Sequence, residues 1–563
     1  MARRAWEVWL PGIAVARTYR RAWLRADVTA GSVLAALLIP AGMGYAQAAG
    51  LPAYAGLYAT VVPMLIYAVI GPSRVLVLGP DSSLAPLIAA AVLPFVVSDG
   101  ANAVALAGVL AVLVGGMLFV GGFLRLGFVT ALLSKPLRLG FLNAIALIVV
   151  AGQIPRLFGL EVAADGLVRE ITTAVHVLVT TGPDLSTTML GVGSLAVILV
   201  FRVVDRHVPG VLIAVAGTMA IAYVVDLDGV SVVGALPSGL PMPSFTGVSW
   251  ADVLHLTAPA AGIALIAFAD TGVWSRTFAG RRGEEVDGSA EMRALGAANI
   301  VSGVAGGFPI SASGSRTAAA EQNGARTQLA GVVGAFLVAA FVFLAPGATA
   351  YLPEATLAAV VIIAAGALVD IRGMVRMWRM STVEFGLATA AFLGVALAGV
   401  LQGVAIAIGL SFLAVVAHAW QPYRTELVRT DELPGFHDVR RHPDGHRIPN
   451  VVILRFDAPL FFANGTIFCD FVRSEITKRS SPVRWVVLAA EPITNVDTTV
   501  VDDLVALHRH LHEQGTDLVF AEMKGPIKDR LIRYGAGNEF TPAHFYPTLH
   551  AAIDATQAQD RNE

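Results

Sequence analysis

Two polar stretches interrupt an otherwise apolar sequence, at positions suited to holding a ligand inside a membrane. The first is "LGPDSSLAP" at 78–86, which places Pro80, Ser82 and Ser83 within a long run of Val, Leu and Ala. Polar breaks in the backbone are tolerated at membrane depth only where they face protein or a water-filled cavity. We therefore expect this break to line an internal site.

A comparable break occurs in the second half of the chain, in "GGFPISASGSRTAAAEQNGAR" at 306–326. It has Gly and Pro first, then a cluster of Ser, then a run of Ala that favours a helix. Two interrupted segments at corresponding places in two halves indicate the binding site of an inverted-repeat transporter. The alternative is that Pro and Gly kink two ordinary spans, while Ser and Ala allow close helix packing.

The chemistry of such a site favours an anion. A helix that begins in mid-membrane leaves its first N–H groups unpaired and carries about half a positive charge there. Two such helix starts that face each other attract a negative solute. We expect Asp81 to cap the first half-helix. The predicted substrate contacts are Pro80, Ser82, Ser83, Ser311, Ser313, Gly314, Ser315 and Arg316.

Asp270 is a carboxylate in the apolar stretch "LIAFADTGVW". An unpaired charge at that depth is costly, so intramembrane acids mark ion or proton sites or pair with a cation. We expect Asp270 to hold the coupling ion, H⁺ before Na⁺. The alternative is a structural pair with Arg276 or Arg316. Beyond the coupling ion we expect no cofactor and no metal site.

The composition indicates a membrane protein. The chain has 563 residues, of which 56% are hydrophobic and only 14% charged, against about a quarter charged in soluble domains. We divide it into a basic amphipathic segment at 1–27, an apolar transporter domain at 28–420 and a polar domain at 421–563. No nucleotide-binding loop, metal cluster or nucleophile triad is recognisable, so we expect neither an enzyme nor a nucleic-acid partner.

The apolar domain divides into two sets of seven candidate spans, each near the length of roughly 20 residues that a bilayer requires. Every second loop is rich in Arg and Lys, which places both termini in the cytoplasm by the positive-inside rule. Segment 166–182 is amphipathic, and we expect it to lie at the surface. The candidate spans are 28–49, 55–70, 79–96, 101–124, 134–158, 184–203, 208–226, 256–280, 289–305, 311–325, 327–345, 354–370, 382–398 and 400–420.

The sequence around both breaks resembles the SulP anion transporters, the sulfate permease family with its prestin and pendrin relatives. The first similar stretch is "LPAYAGLYATVVPMLIYAVIGPSRVLVLGPDSS" at 51–83, and the second is "LGAANIVSGVAGGFPISASGSRTAAAEQNGARTQLAG" at 295–331. The resemblance implies a helical seven-plus-seven inverted repeat with core and gate domains. It also implies that the third and tenth helices face one anion site, that an acid near Asp270 serves coupling, and that the protein is a homodimer.

The polar domain alternates strands with helices, which suggests a small open α/β sheet. We predict strands at 451–457, 484–489 and 517–522, and helices at 465–479 and 498–514. The motifs "RFDAPLFFAN" and "PITNVDTTVVDDLVALHRHLHEQGTDLVFA" resemble the STAS domain that follows the last span of SulP proteins. Thr498 is expected to cap a helix rather than to be phosphorylated, and His508 and His512 are expected to face solvent.

These features together predict a secondary active transporter of a small anion in the cytoplasmic membrane, working by alternating access with proton coupling. Sulfate is the first expectation, and bicarbonate or a C4-dicarboxylate with sodium or proton coupling is the alternative. A nucleobase symporter of related fold would need a second acid near the tenth segment. An anion channel would not need a titrating group such as Asp270.

Overall fold

The computed structural model describes residues 10–99, 102–127, 135–160, 162, 166–204, 209–225, 229–237, 245, 247–431 and 433–562. The chain forms two compact units, Met1–Ser411 and Phe412–Glu563. The division between the two units falls within the helix Val400–Trp420, and the domain boundary after residue 420 stays a prediction.

In the described part of the first half, a short helix, α1, precedes eight longer helices, seven of which lie in predicted spans. Asn102 shows how such a segment starts, because its side-chain oxygen accepts hydrogen bonds from the N–H groups of Val104 and Ala105. The elements are α1 (Pro11–Arg17), α2 (Leu24–Ala48), α3 (Ala53–Ile70), β1 (Leu78–Gly79), α4 (Ala85–Asp99), α5 (Ala103–Phe123), α6 (Lys135–Leu157), α7 (Leu167–Thr181), α8 (Leu185–Val204) and α9 (Gly210–Val225).

The second half repeats this order, with a short strand before a short helix at the tenth segment. Each of the fourteen predicted spans contains a helix, and α7 is the expected surface segment. The elements are α10 (Trp250–Gly280), α11 (Gly288–Val304), β2 (Ser311–Ala312), α12 (Gly314–Gln322), α13 (Leu329–Leu344), α14 (Glu354–Gly366), α15 (Ile371–Met380), α16 (Thr382–Ala398) and α17 (Val400–Trp420).

By length and apolar composition, seven helices of the described residues are able to cross a membrane unaided, and several shorter apolar helices accompany them. The helix α15 was not predicted, because the sequence reading ended the twelfth span at 370 and took its Arg residues as a basic loop. The membrane unit therefore has the predicted helical transporter architecture with one additional short helix.

Small residues allow the helices around the site to pack closely. A Cβ on Gly115 of α5 would lie 2.5 Å from the backbone nitrogen of Ile300 on α11. The two helices therefore touch backbone to backbone, as small residues permit in membranes. This packing holds α11 in place. Since α11 leads into β2, it also positions the segment that carries the second polar break.

The second unit contains a six-stranded sheet in the order β4-β3-β5-β6-β7-β8. Strands β5 to β8 are parallel, and β3 runs antiparallel to both β4 and β5. The three predicted strands and two predicted helices are confirmed. The elements are β3 (Arg424–Arg429), β4 (Phe436–Asp438), β5 (Val451–Phe456), α18 (Gly465–Thr477), β6 (Trp485–Ala489), α19 (Thr498–Glu513), β7 (Asp517–Ala521), α20 (Gly525–Arg533), β8 (Phe545–Tyr546) and α21 (Leu549–Asn562).

Two predictions for this unit are wrong. The cap of α19 is Asp497, whose carboxylate accepts a hydrogen bond from the N–H of Val500, while Thr498 is the first helical residue. His508 is buried, with its ring 5.0 Å from the ring of Phe540. The side of α19 that carries His508 packs against the loop after α20. The spacing of residues along α19 alone gives no information about this contact. His512 is exposed as predicted.

Candidate functional site

The two polar breaks lie side by side in the membrane unit. Strands β1 and β2 pair antiparallel, with Leu78 opposite Ala312 and Gly79 opposite Ser311. One residue further on, the N–H of Ser313 donates to the carbonyl of Val77 at 3.0 Å. The helices α4 and α12 follow directly, so both half-helices start from one shared strand pair.

Threonine side chains on two helices accept hydrogen bonds from backbone N–H groups of this strand pair and of the residue before it. Thr317 of α12 accepts a hydrogen bond from the N–H of Val77 at 3.0 Å. Thr271, adjacent to Asp270 on α10, accepts one from the N–H of Ala312 at 3.1 Å. These bonds tie the strand pair to the helix that carries the buried carboxylate.

Asp81 closes the turn that leads into the first half-helix, which begins four residues later at Ala85. One of its carboxylate oxygens, Oδ1, accepts from the backbone N–H of Ser83 at 3.1 Å and from the Ser83 hydroxyl at 2.9 Å. The same hydroxyl lies 3.0 Å from Oδ2 of Asp270. Ser83 therefore stands between two acids, although a hydroxyl has only one proton to donate.

Arg316 lies at the start of α12 with its side chain almost fully buried. Its Nη2 donates to the carbonyl of Pro80 and lies 3.7 Å from Oδ2 of Asp81. The predicted alternative in which Arg316 pairs with Asp270 is wrong, and Arg316 is not the ion-pair partner of Glu321 either. Glu321 instead pairs with Arg281 and Arg282, because the half-helix directs it away from the strand pair.

Three buried polar atoms at this place have no hydrogen-bond partner among the described residues: Nε and Nη1 of Arg316 and Oγ of Ser311. Ser311 is 0% exposed and Arg316 is 5% exposed. An unsatisfied buried donor costs about 1–3 kcal/mol, so such groups indicate a place for a ligand. The three atoms belong to residues that the sequence had predicted as substrate contacts.

The remaining predicted contacts surround the same strand pair. Pro80, Ser82 and Ser313 are buried, while Ser315 is exposed and its hydroxyl lies 3.2 Å from that of Ser313. Gly314 packs on the indole of Trp274, where a Cβ would come within 2.5 Å of Cζ2. Its lack of a side chain is therefore explained by packing.

Several residues of this region were missed by sequence reasoning. Asn299 of α11 holds the segment before β2, since it both accepts from the N–H and donates to the carbonyl of Ile310. Glu291, also on α11, is 0% exposed and accepts hydrogen bonds from Tyr67, Ser73 and Ser275. An acid in the first turn of a predicted span was the available signal for it.

A cavity of about 2280 Å³ opens among the ends of the membrane helices. Its wall includes Tyr54, Gln153 and Arg156, and it reaches Pro86 on the first half-helix. Pro86 is only three residues beyond Ser83. The lining of the cavity includes neither Asp270 nor any of the predicted substrate contacts.

A family model described as "Sulfate permease family" matches residues 24–391, and a STAS domain model matches residues 442–552. The chain belongs to the sulfate permease family. Membership makes it a multi-pass membrane transporter of anions, and its family is one of transporters rather than enzymes.

Relatives of this sulfate permease family member extend over nearly its whole length. A probable sulfate transporter of Mycobacterium tuberculosis is 38% identical over 97% of this chain and 98% of its own. The chloroplastic sulfate transporter 4.1 of Arabidopsis thaliana is 28% identical over 95% of this chain and 81% of its own.

Two solved structures share the fold of this family member. The murine Slc26a9 anion transporter, in an inward-facing state, gives a TM-score of 0.91 at 21% identity and covers 99% of this chain and 96% of its own. The transmembrane domain of the cyanobacterial bicarbonate transporter BicA gives 0.61 at 22% identity, over 70% of this chain and 98% of its own. The predicted transporter fold followed by a STAS domain is confirmed.

Proposed function

We propose that this protein imports sulfate across the cytoplasmic membrane by alternating access, driven by protons. The observation that carries the proposal is the set of unpartnered donors, Arg316 Nε and Nη1 with Ser311 Oγ, beside two half-helix starts. Sulfate offers four oxygens to such donors, and Arg binds oxyanions through its planar fork. The names of the relatives support sulfate over other anions.

The contact between Ser83 and Asp270 supports proton coupling. If both acids beside Ser83 are ionised, they compete for its single hydroxyl proton. A protonated Asp270 removes the conflict, because it donates to Ser83 while Ser83 donates to Asp81. Asp81 in turn lies 3.7 Å from Nη2 of Arg316. Proton binding at Asp270 thus completes a chain of hydrogen bonds that ends at the proposed anion site.

We further propose that the membrane unit lies with both chain termini in the cytoplasm, as its Arg-rich loops indicate. The family resemblance supports a homodimer. Bicarbonate and C4-dicarboxylates remain alternative substrates of the same site, because backbone dipoles, hydroxyls and one Arg do not select a single anion shape. A channel is less well supported, since a passive pore needs no carboxylate such as Asp270.

Uptake into proteoliposomes tests the proposal. The purified full-length protein is reconstituted, and labelled sulfate, bicarbonate and fumarate are offered under a pH gradient or a sodium gradient, imposed separately. We expect sulfate to accumulate with the pH gradient alone. Preference for another anion would overturn the substrate, and dependence on sodium would overturn the coupling ion.

Asp270→Asn is the matching variant, with Asp529→Asn on the exposed face of the STAS domain as its control. We expect Asp270→Asn to abolish accumulation driven by the pH gradient, while sulfate exchange down its own gradient persists. The control should behave like the native protein. Normal accumulation against a gradient by Asp270→Asn would show that coupling resides elsewhere.

A further inference from the structure

The helix Ile371–Met380 lies between two apolar helices of the membrane unit and is fixed at its start. The carboxylate of Asp370 accepts a hydrogen bond from the N–H of Gly373 at 2.7 Å. The backbone N–H of Asp370 donates to Oδ1 of Asn143 at 2.9 Å. Met377 is buried, so one side of the helix packs on the protein.

The rest of this helix presents two parallel strips to its surroundings. Arg372, Arg376 and Arg379 follow the spacing i, i+4, i+7, so they share one face and form a basic strip. Each is preceded by an apolar residue, so a second strip runs beside the first. This apolar strip consists of Ile371, Val375 and Trp378, which are 67%, 47% and 63% exposed.

Among the described residues, no acid neutralises the basic strip. Segment 371–380 contains no Asp or Glu. All three Arg are exposed, and within the described residues no carboxylate lies in ion-pair distance of them. Three uncompensated charges beside three exposed apolar side chains fit a membrane interface, where the apolar groups enter the acyl boundary and the charges meet headgroups.

We propose that this helix lies in the plane of the membrane and that its basic strip binds the phosphate groups of anionic phospholipids. Two apolar helices flank it closely, one ending at Gly366 and the other beginning at Thr382, and a short helix between them fits interfacial depth. Its loop is one of the Arg-rich loops, which the positive-inside rule assigns to the cytoplasmic leaflet, where anionic lipids attract basic residues. Guanidinium groups match phosphate geometry.

Trp378 provides a direct probe of the lipid beside the helix. The full-length protein is reconstituted in phosphatidylcholine that contains a fixed fraction of brominated phosphatidylglycerol or brominated phosphatidylcholine. The difference in fluorescence between the native protein and Trp378→Phe isolates the signal of Trp378. We expect the brominated anionic lipid to quench that signal at least twice as strongly as the zwitterionic one at equal mole fraction.

Removing the charges should remove this preference. Each basic side chain near an anionic surface contributes roughly fivefold to the affinity, so Arg372→Gln, Arg376→Gln and Arg379→Gln together should equalise the two lipids. The matched control replaces three exposed basic residues of the STAS domain with Gln, namely Arg440, Lys524 and Arg533, and should keep the preference. The corresponding triple Lys variant should also keep it.

Two results would overturn the proposal. Equal quenching of native Trp378 by both lipids would show that the basic strip does not select anionic headgroups. Quenching by neither lipid would show that protein covers the helix, for example a second copy of the chain. Both results come from native protein compared with Trp378→Phe, so the test holds even if the triple Gln variant fails to fold.

Discussion

The hydroxyl of Ser83 lies 3.0 Å from the carboxylate of Asp270, and this contact joins the first half-helix to helix α10. Through it, a proton on Asp270 is within two hydrogen bonds of Asp81, which pairs with Arg316. The proposed coupling site and the proposed anion site are therefore parts of one network. A substitution at the proposed proton site should therefore alter anion binding, and a substitution at the proposed anion site should alter proton coupling.

Ser83→Ala should weaken proton-driven sulfate uptake by about tenfold, because a hydrogen bond to a charged group contributes about 1.5–3 kcal/mol. The variant deprives both acids of their shared donor while leaving Asp270 in place. Uptake against external pH measures the effect. Ser32→Ala is the control, since Ser32 is an exposed serine on α2 that bonds only its own helix backbone. Equal loss in both variants would mean that the Ser83 effect is not specific.

Arg316→Lys should raise the KM for sulfate more than tenfold although the positive charge is kept. Lys has a point charge and cannot reproduce the donors at Nε and Nη1 of the guanidinium group. The carbonyl of Pro80 would also lose a donor. Initial rates over a range of sulfate concentrations separate KM from kcat. A variant with native KM would show that charge alone, and not the fork of donors, holds the anion.

Ser311→Ala should lower sulfate affinity several-fold without lowering the melting temperature of the protein. Its hydroxyl is buried and has no partner among the described residues, so its removal costs the fold no hydrogen bond. Equilibrium binding of labelled sulfate and a thermal melt of the same sample measure both quantities. A lower melting temperature with unchanged affinity would assign Ser311 a structural role.

The sequence was sufficient to predict the pairing of the two breaks, because two interrupted segments at corresponding places in the two halves indicate one shared site. It was not sufficient to predict the partner of Arg316. Whether Arg316 reaches Asp81 or Asp270 depends on the register in which β1 pairs with β2. A single amino-acid sequence contains no information on that register. The burial of His508 was missed for the same kind of reason, since a loop distant in sequence covers it.

Helix α15 and Glu291 illustrate a different limit. The Arg residues of α15 served as evidence for a basic loop, and this reading concealed their helical spacing. Glu291 lies at the edge of a span, where acids are common, so nothing in the sequence marked its carboxylate as fully buried. Two of its three hydroxyl partners, Tyr67 and Ser73, lie more than 200 residues before it in the sequence, and the third is Ser275.

Glu291→Gln should lower the stability of the membrane unit by about 1–3 kcal/mol, the cost of a buried polar group left unsatisfied. The amide nitrogen cannot accept a hydrogen bond, so at least one of the three hydroxyls loses its acceptor. The melting temperature of the full-length protein in detergent measures this loss. The exposed residue Glu285, changed to Gln, is the control. An unchanged melting temperature would show that the hydroxyls find other partners.

His508 should make the STAS domain less stable in mild acid. Burial, followed by the nearby His544, lowers the pKa of His508 below the ordinary pKa of histidine. The unfolded chain therefore binds a proton more readily than the folded domain, and stability is lost as the pH falls below about 6.5. Above that pH both states are neutral at His508, and the residue contributes no pH dependence.

Thermal melts of the full-length protein should therefore show a lower melting temperature for the STAS domain at pH 5.5 than at pH 7.5. This decrease is the drop to be compared between variants. His508→Gln should reduce this drop, because Gln does not titrate. His510→Gln is the control, since His510 is exposed on the same helix, and it should leave the drop unchanged. If His508→Gln and the native protein lose the same amount of stability between the two pH values, the acid sensitivity arises from other groups.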